Sequence, residues 1–216
     1  MLSVSVMRTI GVFGGTFDPI HYGHLALARC LRTSLALDQV RLIPTGLPPH
    51  RPAPPVSPQQ RLAWVQAAIA GESGLLVDDR EVNREGYCYT IDTLLELQQD
   101  TPDALLVWLI GADSWRQLTR WHRWRDLLEV GHLVIAARPE YAFNDLSPDL
   151  AAEFAARHVN ATPAQLSRGK ISQLASPLLP VSSTLIRDKL SRGEDVSALT
   201  PVSALLVASG LYCFKE

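Results

Sequence analysis

Seven consecutive apolar residues, Ala104 to Ile110 in the stretch "DALLVWLIGAD", constrain the fold more than any other feature of this chain. The run is too short for a membrane span, which needs about 20 apolar residues. It shows no polar alternation, so as a strand it must be covered on both faces. Similar but shorter runs occur at "RTIGVF" (8–13), "QVRLIPT" (39–45), "GLLV" (74–77), "HLVIAARP" (132–139) and "KISQLASP" (170–177). Helical patterns separate them. "YGHLALARCLRTSLA" (22–36) places Leu25, Ala28, Leu31 and Leu35 on one face. "SPQQRLAWVQAAIAG" (57–71) has Ser57 as a cap, Pro58 at the first position and Gly71 as a stop. Further helices are predicted from Thr90, over 114–131 with a break near Trp121, after Val181, and before Gly210. Strands alternating with helices imply an α/β sandwich around a parallel sheet, and 216 residues suit a single domain.

Two segments resist this pattern. "GLPPHRPAPPVSP" (46–58) is too rich in proline for a helix or a central strand and reads as a long loop. Residues 140–170 form an excursion with one short helix and no functional reading. The start "MLSVSVMRTIGVF" lacks the parts of a signal peptide. Residues 1–7 read as an N-terminal extension, with Met7 an alternative start. Three scattered cysteines suggest a reduced, cytoplasmic setting, with Cys30 and Cys88 as small buried apolar residues. A net charge of −2 offers no global field for nucleic acid, and no segment calls for a membrane.

In open parallel sheets, ligands bind at the carboxyl ends of the strands. That rule gathers residues 14–24, 45–51, 111–114 and Arg138 at one edge. The densest of these stretches is "GVFGGTFDPIHYGHLALA" (11–28). It lacks the Gly-Lys-Ser/Thr of a Walker A loop and the G-x-G-x-x-G of a dinucleotide fingerprint. What remains is a strand, a Gly14-Gly15 turn and a helix start bearing His21 and His24. Free helix N–H groups, the dipole and two uncharged imidazole donors suit a polyphosphate. Two other readings compete. The histidines could be capping or packing residues. They could also share a zinc ion, but no H-E-x-x-H or cysteine set supplies further ligands. Downstream, "VSSTLIRDKL" (181–190) sets Ser182, Ser183 and Thr184 at a helix start with Arg187 one turn on. It is either a second anion cradle or a capped helix with a surface arginine. Together the two stretches could hold opposite ends of one triphosphate.

"GGTFDPIHYGH" resembles the His-x-Gly-His signature of the nucleotidyltransferase superfamily, and "SSTLIR" its distal Ser/Thr-x-x-Arg motif. Within the superfamily the chain resembles the bacterial nicotinate-nucleotide adenylyltransferases. Matching pieces run from Gly14 to Tyr212: "IPTGLPPHRP", "YTIDTL", "IGADS", "RWHRW", "AARP" and the closing "GLY" join the two motifs. The resemblance implies a Rossmann-like, doubly wound parallel sheet with helices on both faces in one domain, residues 1–216. It implies adenylyl transfer from ATP to nicotinate mononucleotide, giving deamido-NAD and pyrophosphate, with Mg²⁺ assisting and no zinc. Such a transfer is mostly alignment and charge neutralisation, and an ionised phosphate nucleophile needs no general base.

The resemblance also assigns roles. His21, His24 and Arg187 match the catalytic contacts to the ATP phosphates. Gly14, Gly15, Thr16, Ser183 and Thr184 match the rest of the phosphate path. Gly111 and Asp113 match the ribose contacts, and Arg138 the junction of the two nucleotides. His50, Arg51, Thr90, Ile91, Trp121 and His122 match the nicotinate-nucleotide site, where many relatives carry Lys in place of Arg51. Trp115 and Trp124 read as structural. Asp18 reads as structural through bonds to nearby backbone N–H groups; the alternative is Mg²⁺ reached through water. Rival readings keep nicotinamide mononucleotide or another phosphorylated acceptor, or a nucleotide sensor without turnover.

Overall fold

The computed structural model describes residues 7–49, 52, 54–137, 146–175 and 179–212. Six parallel strands form one sheet: β1 (Arg8–Gly15), β2 (Gln39–Pro44), β3 (Leu75–Val77), β4 (Ala104–Gly111), β5 (His132–Ala137) and β6 (Ile171–Ala175). Their spatial order is β3-β2-β1-β4-β5-β6. The chain leaves β1 toward one edge, then returns to β4 on its other side. β1 therefore pairs with both β2 and β4, and the winding reverses between β1 and β4. A crevice opens at the carboxyl ends of strands flanking such a reversal.

Among the described residues, eight helices cover the sheet: α1 (Tyr22–Ser34), α2 (Pro58–Ala68), α3 (Thr90–Asp100), α4 (Ala112–Arg116), α5 (Trp124–Val130), α6 (Pro148–Arg157), α7 (Ser183–Ser191) and α8 (Ser203–Ser209). The strands divide two cores by alternation. Leu105, Val107 and Leu109 of β4 join α1, α2, α7 and α8 on one face. Leu106, Trp108 and Ile110 join α3, α4, α5 and α6 on the other. Both faces of β4 are thus buried, which accounts for its unbroken apolar run. Each of its large side chains contributes about 2 kcal/mol by leaving water.

The expected helix face of Leu25, Ala28, Leu31 and Leu35 is buried. Ser57 accepts the Gln60 N–H at 3.2 Å, as a cap should. Several boundaries differ from expectation. β1 runs on through Gly15 because Gly14 and Gly15 still pair with Ile43 and Pro44. α2 stops at Ala68, and Gly71 lies beyond it with φ of 84°. The stretch over 114–131 divides into α4, a 3-10 turn (Leu118–Arg120) and α5. The break falls at Trp121, which is extended, and at Arg123, whose φ is 52°. Cys88 is buried, but Cys30 is only half-buried, because it lies off the Leu25–Ala28–Leu31 stripe. Trp115 and Trp124 are both buried in the second core. The excursion holds α6 and a short 3-10 turn, Pro163–Gln165. Residues 1–6 of the expected extension, Cys213, His50, Arg51 and Arg138 lie outside the described residues. Among the described residues, no helix is long and apolar enough to cross a membrane.

Candidate active site

A cleft of about 640 Å³ opens at the β1/β4 reversal. Gly14, Gly15 and Thr16 at the exit of β1 line it, facing Asp113, Ser114 and Gln117 of α4 and its end. Thr45, Pro48 and Pro49, past β2, form another wall. Tyr89, Thr90 and Thr93 close it from α3, with Arg120, Trp121 and His122 at the break before α5. Trp121 is in this wall because the break leaves it half-buried, whereas Trp115 and Trp124 on either side sink into the core. The exposed His122 ring lies 4.5 Å from the Tyr89 ring. Of the expected nicotinate-site residues, Thr90, Trp121 and His122 line the cleft. Ile91 does not, since its side chain is wholly buried in the second core and only its backbone can serve a ligand. Gly111 ends β4 and precedes the first turn of α4, where Asp113 is exposed.

The histidine pair lies just beyond Thr16. His21 is the N-cap of α1, and its Nδ1 accepts the His24 N–H at 3.3 Å. A neutral ring that accepts at Nδ1 carries its proton on Nε2. The two imidazoles stack with centroids 3.6 Å apart and planes 17° from parallel. Phe17 packs edge-on against His24 at 5.0 Å. Gly23 leaves room for the stack, because a Cβ there would press on the His21 ring at 3.0 Å. Burial pulls the His21 pKa down to about 4. Burial, and then the neighbouring His21, pulls His24 down to about 3. Both rings are therefore neutral near pH 7. Capping takes only Nδ1 of His21 and leaves the Nε2–H as a donor, so the cap does not by itself rule out the phosphate reading. His24 Nδ1 is buried without a hydrogen-bond partner among the described residues.

α7 is laced to the same loop. Ser182 caps it by accepting the Leu185 N–H at 3.1 Å. The Ser183 hydroxyl donates to the Pro19 carbonyl at 2.9 Å, so it fastens α7 to the loop before His21. Arg187 Nη1 donates to the Asp18 carbonyl at 2.6 Å, and Nη2 donates to Thr184 Oγ1 at 3.3 Å. These contacts bring His21, Arg187, Ser183 and Thr184 around one loop, across more than 160 residues of sequence. Asp18 is buried, and its Oδ1 accepts the Tyr212 hydroxyl at 2.5 Å. Its Oδ2 lies 3.8 Å from Arg187 Nη1. The Tyr212 hydroxyl thus stands at Asp18 in place of the expected backbone N–H groups. Burial and the Asp18 carboxylate push the Tyr212 hydroxyl pKa up.

Two buried charged residues at the cleft carry no sequence motif. Glu81 lines it, and burial pushes its carboxyl pKa up while the Thr93 hydroxyl donates to Oε1 at 2.7 Å. Arg84 supports Thr93 from behind at 3.1 Å and pairs with Glu96 at 2.6 Å. Arg61 is fully buried on the face of α2 that also carries Trp64, Val65 and Ala68. The sequence signal for Arg61 is that helical spacing itself, which puts an arginine on the core side. Among the described residues, no three His, Cys, Asp or Glu side chains group as a metal site.

A family model described as cytidylyltransferase-like matches residues 12–189, so the class of the chain is a nucleotidyltransferase. Among curated relatives, a probable nicotinate-nucleotide adenylyltransferase of Laribacter hongkongensis is 46% identical over 187 residues, covering 86% of this chain and 85% of the relative. Another of that name from Chromobacterium violaceum is 43% identical, covering 91% and 93%. The chain belongs to the cytidylyltransferase-like family and, within it, to the nicotinate-nucleotide adenylyltransferases. Solved structures agree on the fold. The nicotinic acid mononucleotide adenylyltransferase of Plasmodium falciparum, complexed with NaAD, has a TM-score of 0.71 at 17% identity, covering 95% of this chain and 97% of that one. A putative nicotinate-nucleotide adenylyltransferase from Vibrio parahaemolyticus has a TM-score of 0.63 at 22% identity, covering 97% and 98%.

Proposed function

We propose that this chain transfers the adenylyl group of ATP to nicotinate mononucleotide, releasing pyrophosphate and forming deamido-NAD. The observation that carries this reading is one juxtaposition. Thr16 lines one cleft with Trp121 and the start of α3, and the loop that leaves Thr16 leads to the neutral, stacked histidine pair at the start of α1. The relatives' names support the same acceptor.

In the reaction an oxygen of the acceptor phosphate attacks the α-phosphorus of ATP in line. The new P–O bond forms as the bond to the bridging oxygen of pyrophosphate breaks. No proton is transferred, so no base is called for. His21 Nε2–H and the His24 ring donate to phosphate oxygens as charge develops, without prior deprotonation. Gly14, Gly15 and Thr16 line the phosphate path. Arg187 and Thr184 hold the β- and γ-phosphates, and Ser183 contributes through the α7 start that it fastens. Gly111 and Asp113 take the ribose, and Arg138 the junction. Trp121 offers a flat face to the pyridine ring. Backbone N–H groups near Ile91 and His122, together with Thr90, meet its carboxylate. His50 and Arg51 serve the mononucleotide.

Magnesium enters with ATP as part of the substrate. Asp18 fits poorly as its ligand, since the Tyr212 hydroxyl occupies Oδ1 and Arg187 faces Oδ2. The setting is cytoplasmic, and residues 1–216 act as one domain. Pyrophosphate release is the test, assayed with nicotinate mononucleotide, nicotinamide mononucleotide and phosphopantetheine as acceptors. Fast release with the first alone is expected. Preference for either of the others, or ATP binding without turnover, would overturn the assignment.

A further inference from the structure

Arg61 belongs to none of the recognised motifs, yet it is the one charged side chain on the buried face of α2. Its donors go to four backbone carbonyls. Nη1 bonds Thr16 at 2.6 Å, Nη2 bonds Thr45 at 2.6 Å and Gly46 at 3.3 Å, and Nε bonds Val56 at 3.3 Å. Burial pulls its pKa down, while Asp18 and Glu81 act in the opposite direction. A buried cation carries a desolvation cost of several kcal/mol. An apolar side chain in line with Trp64 and Val65 would avoid that cost. It would also leave four carbonyls without this donor, so desolvation alone does not say why an arginine stands here.

Its placement does. β1 and β2 stop pairing at Gly15 and Pro44, with one last bond from the Thr45 N–H to the Gly15 carbonyl at 2.9 Å. Beyond that point the residue after each strand, Thr16 and Thr45, lines the cleft as part of its own wall. The planar guanidinium fork ties the two together, with Nη1 on the Thr16 carbonyl and Nη2 on the Thr45 carbonyl. On the reaction proposed above, the Thr16 wall leads to the phosphate-binding histidines and the Thr45 wall to the acceptor loop. In-line transfer needs its reacting atoms about 3–3.5 Å apart, and a misplacement of about 1 Å can cost about 100-fold in rate.

We propose that Arg61 is a positioning residue that fixes the spacing between the ATP-holding wall and the acceptor-holding wall, and that this spacing sets kcat. It touches neither substrate. The inference rests on the proposed adenylyl transfer.

The test compares three variants with the wild type. Arg61→Lys keeps the charge but loses the fork that reaches two walls. Gly46→Ala strains the same clamp from the other side, because a Cβ there would lie 2.1 Å from the Glu81 carbonyl. Val65→Ala is the control for plain destabilisation, since Val65 is fully buried on the same helix. Steady-state kinetics and calorimetric binding of a non-hydrolysable ATP analogue are measured well below each melting temperature. Arg61→Lys and Gly46→Ala should lower kcat about 100-fold, with KM values and analogue affinity within about threefold of wild type. Val65→Ala should keep kcat. If Arg61→Lys retains kcat within about threefold, or if Val65→Ala reproduces its loss, the inference is overturned. Should Arg61→Lys not fold, Gly46→Ala decides, and an unchanged kcat there overturns it. A wild type without adenylyl transfer would instead remove the proposed reaction, and the inference with it.

Discussion

Acid should destabilise this protein through the histidine pair. In the folded chain His21 and His24 accept protons only near pH about 4 and about 3, because burial disfavours both cations and His21 further disfavours a charged His24. In the unfolded chain both titrate near the ordinary value of about 6.5. Between those values the unfolded chain binds more protons, so stability falls as pH drops below about 6.5 and keeps falling until the folded rings titrate. At pH 5 an unfolded imidazole is almost fully protonated and its folded counterpart almost fully neutral. The difference is about 2 kcal/mol per ring and about 4 kcal/mol for the pair. Set against a total stability of about 5–15 kcal/mol, that is a large share. Buried His132 acts in the same direction. Glu81 acts in the opposite one, since its raised pKa makes the folded chain the better proton acceptor. The pair's share is isolated by the double variant His21→Asn, His24→Gln, in which the side-chain amide oxygen introduced at position 21 can still cap α1. Urea unfolding followed by tryptophan fluorescence at about pH 7.5 and about pH 5 gives the difference, and the wild type should lose about 4 kcal/mol more than the variant. Equal losses in the two proteins would refute the reasoning. So would imidazole proton resonances of the native protein that titrate near the ordinary value.

Two further outcomes follow from the same contacts. His24→Ala should lower kcat about 100-fold with a modest loss of ATP affinity, as expected for a donor that matters most when charge develops. A collapse of ATP binding together with melting of the fold would make His24 a packing residue, and steady-state kinetics beside thermal unfolding separates the cases. Tyr212→Phe strips Oδ1 of Asp18 of its recorded donor and should cost about 1–3 kcal/mol in urea unfolding. It should leave the Mg²⁺ dependence of turnover unchanged, whereas a shifted Mg²⁺ requirement would return Asp18 to the metal.

The parts of this molecule that were legible in its sequence share one property: their signals are local. The seven-residue run of β4 identifies a doubly covered strand, and the Leu25–Ala28–Leu31–Leu35 stripe identifies a helix face, because each is a periodicity within one element. The histidine pair was legible for the same reason, as was the Ser182–Arg187 helix start. What was not legible is how these pieces are tied. Asp18 is held by Tyr212, and Ser183 spends its hydroxyl on Pro19 instead of leaving it free in the cleft. Glu81 and Thr93 are a buried acid and its donor, taken from a loop and a helix that share no motif. Arg61 carries no such signal, because an arginine in a helix ordinarily lies on the wet side, and here it lies on the dry one. Each of these residues satisfies a backbone carbonyl or a buried charge on a distant segment, and burial enforces such pairing whatever the local pattern. The residues to which the proposed chemistry is given therefore stand out along the chain, each within one element. The residues that hold them at the right separation become visible only when β1, β2 and α7 meet.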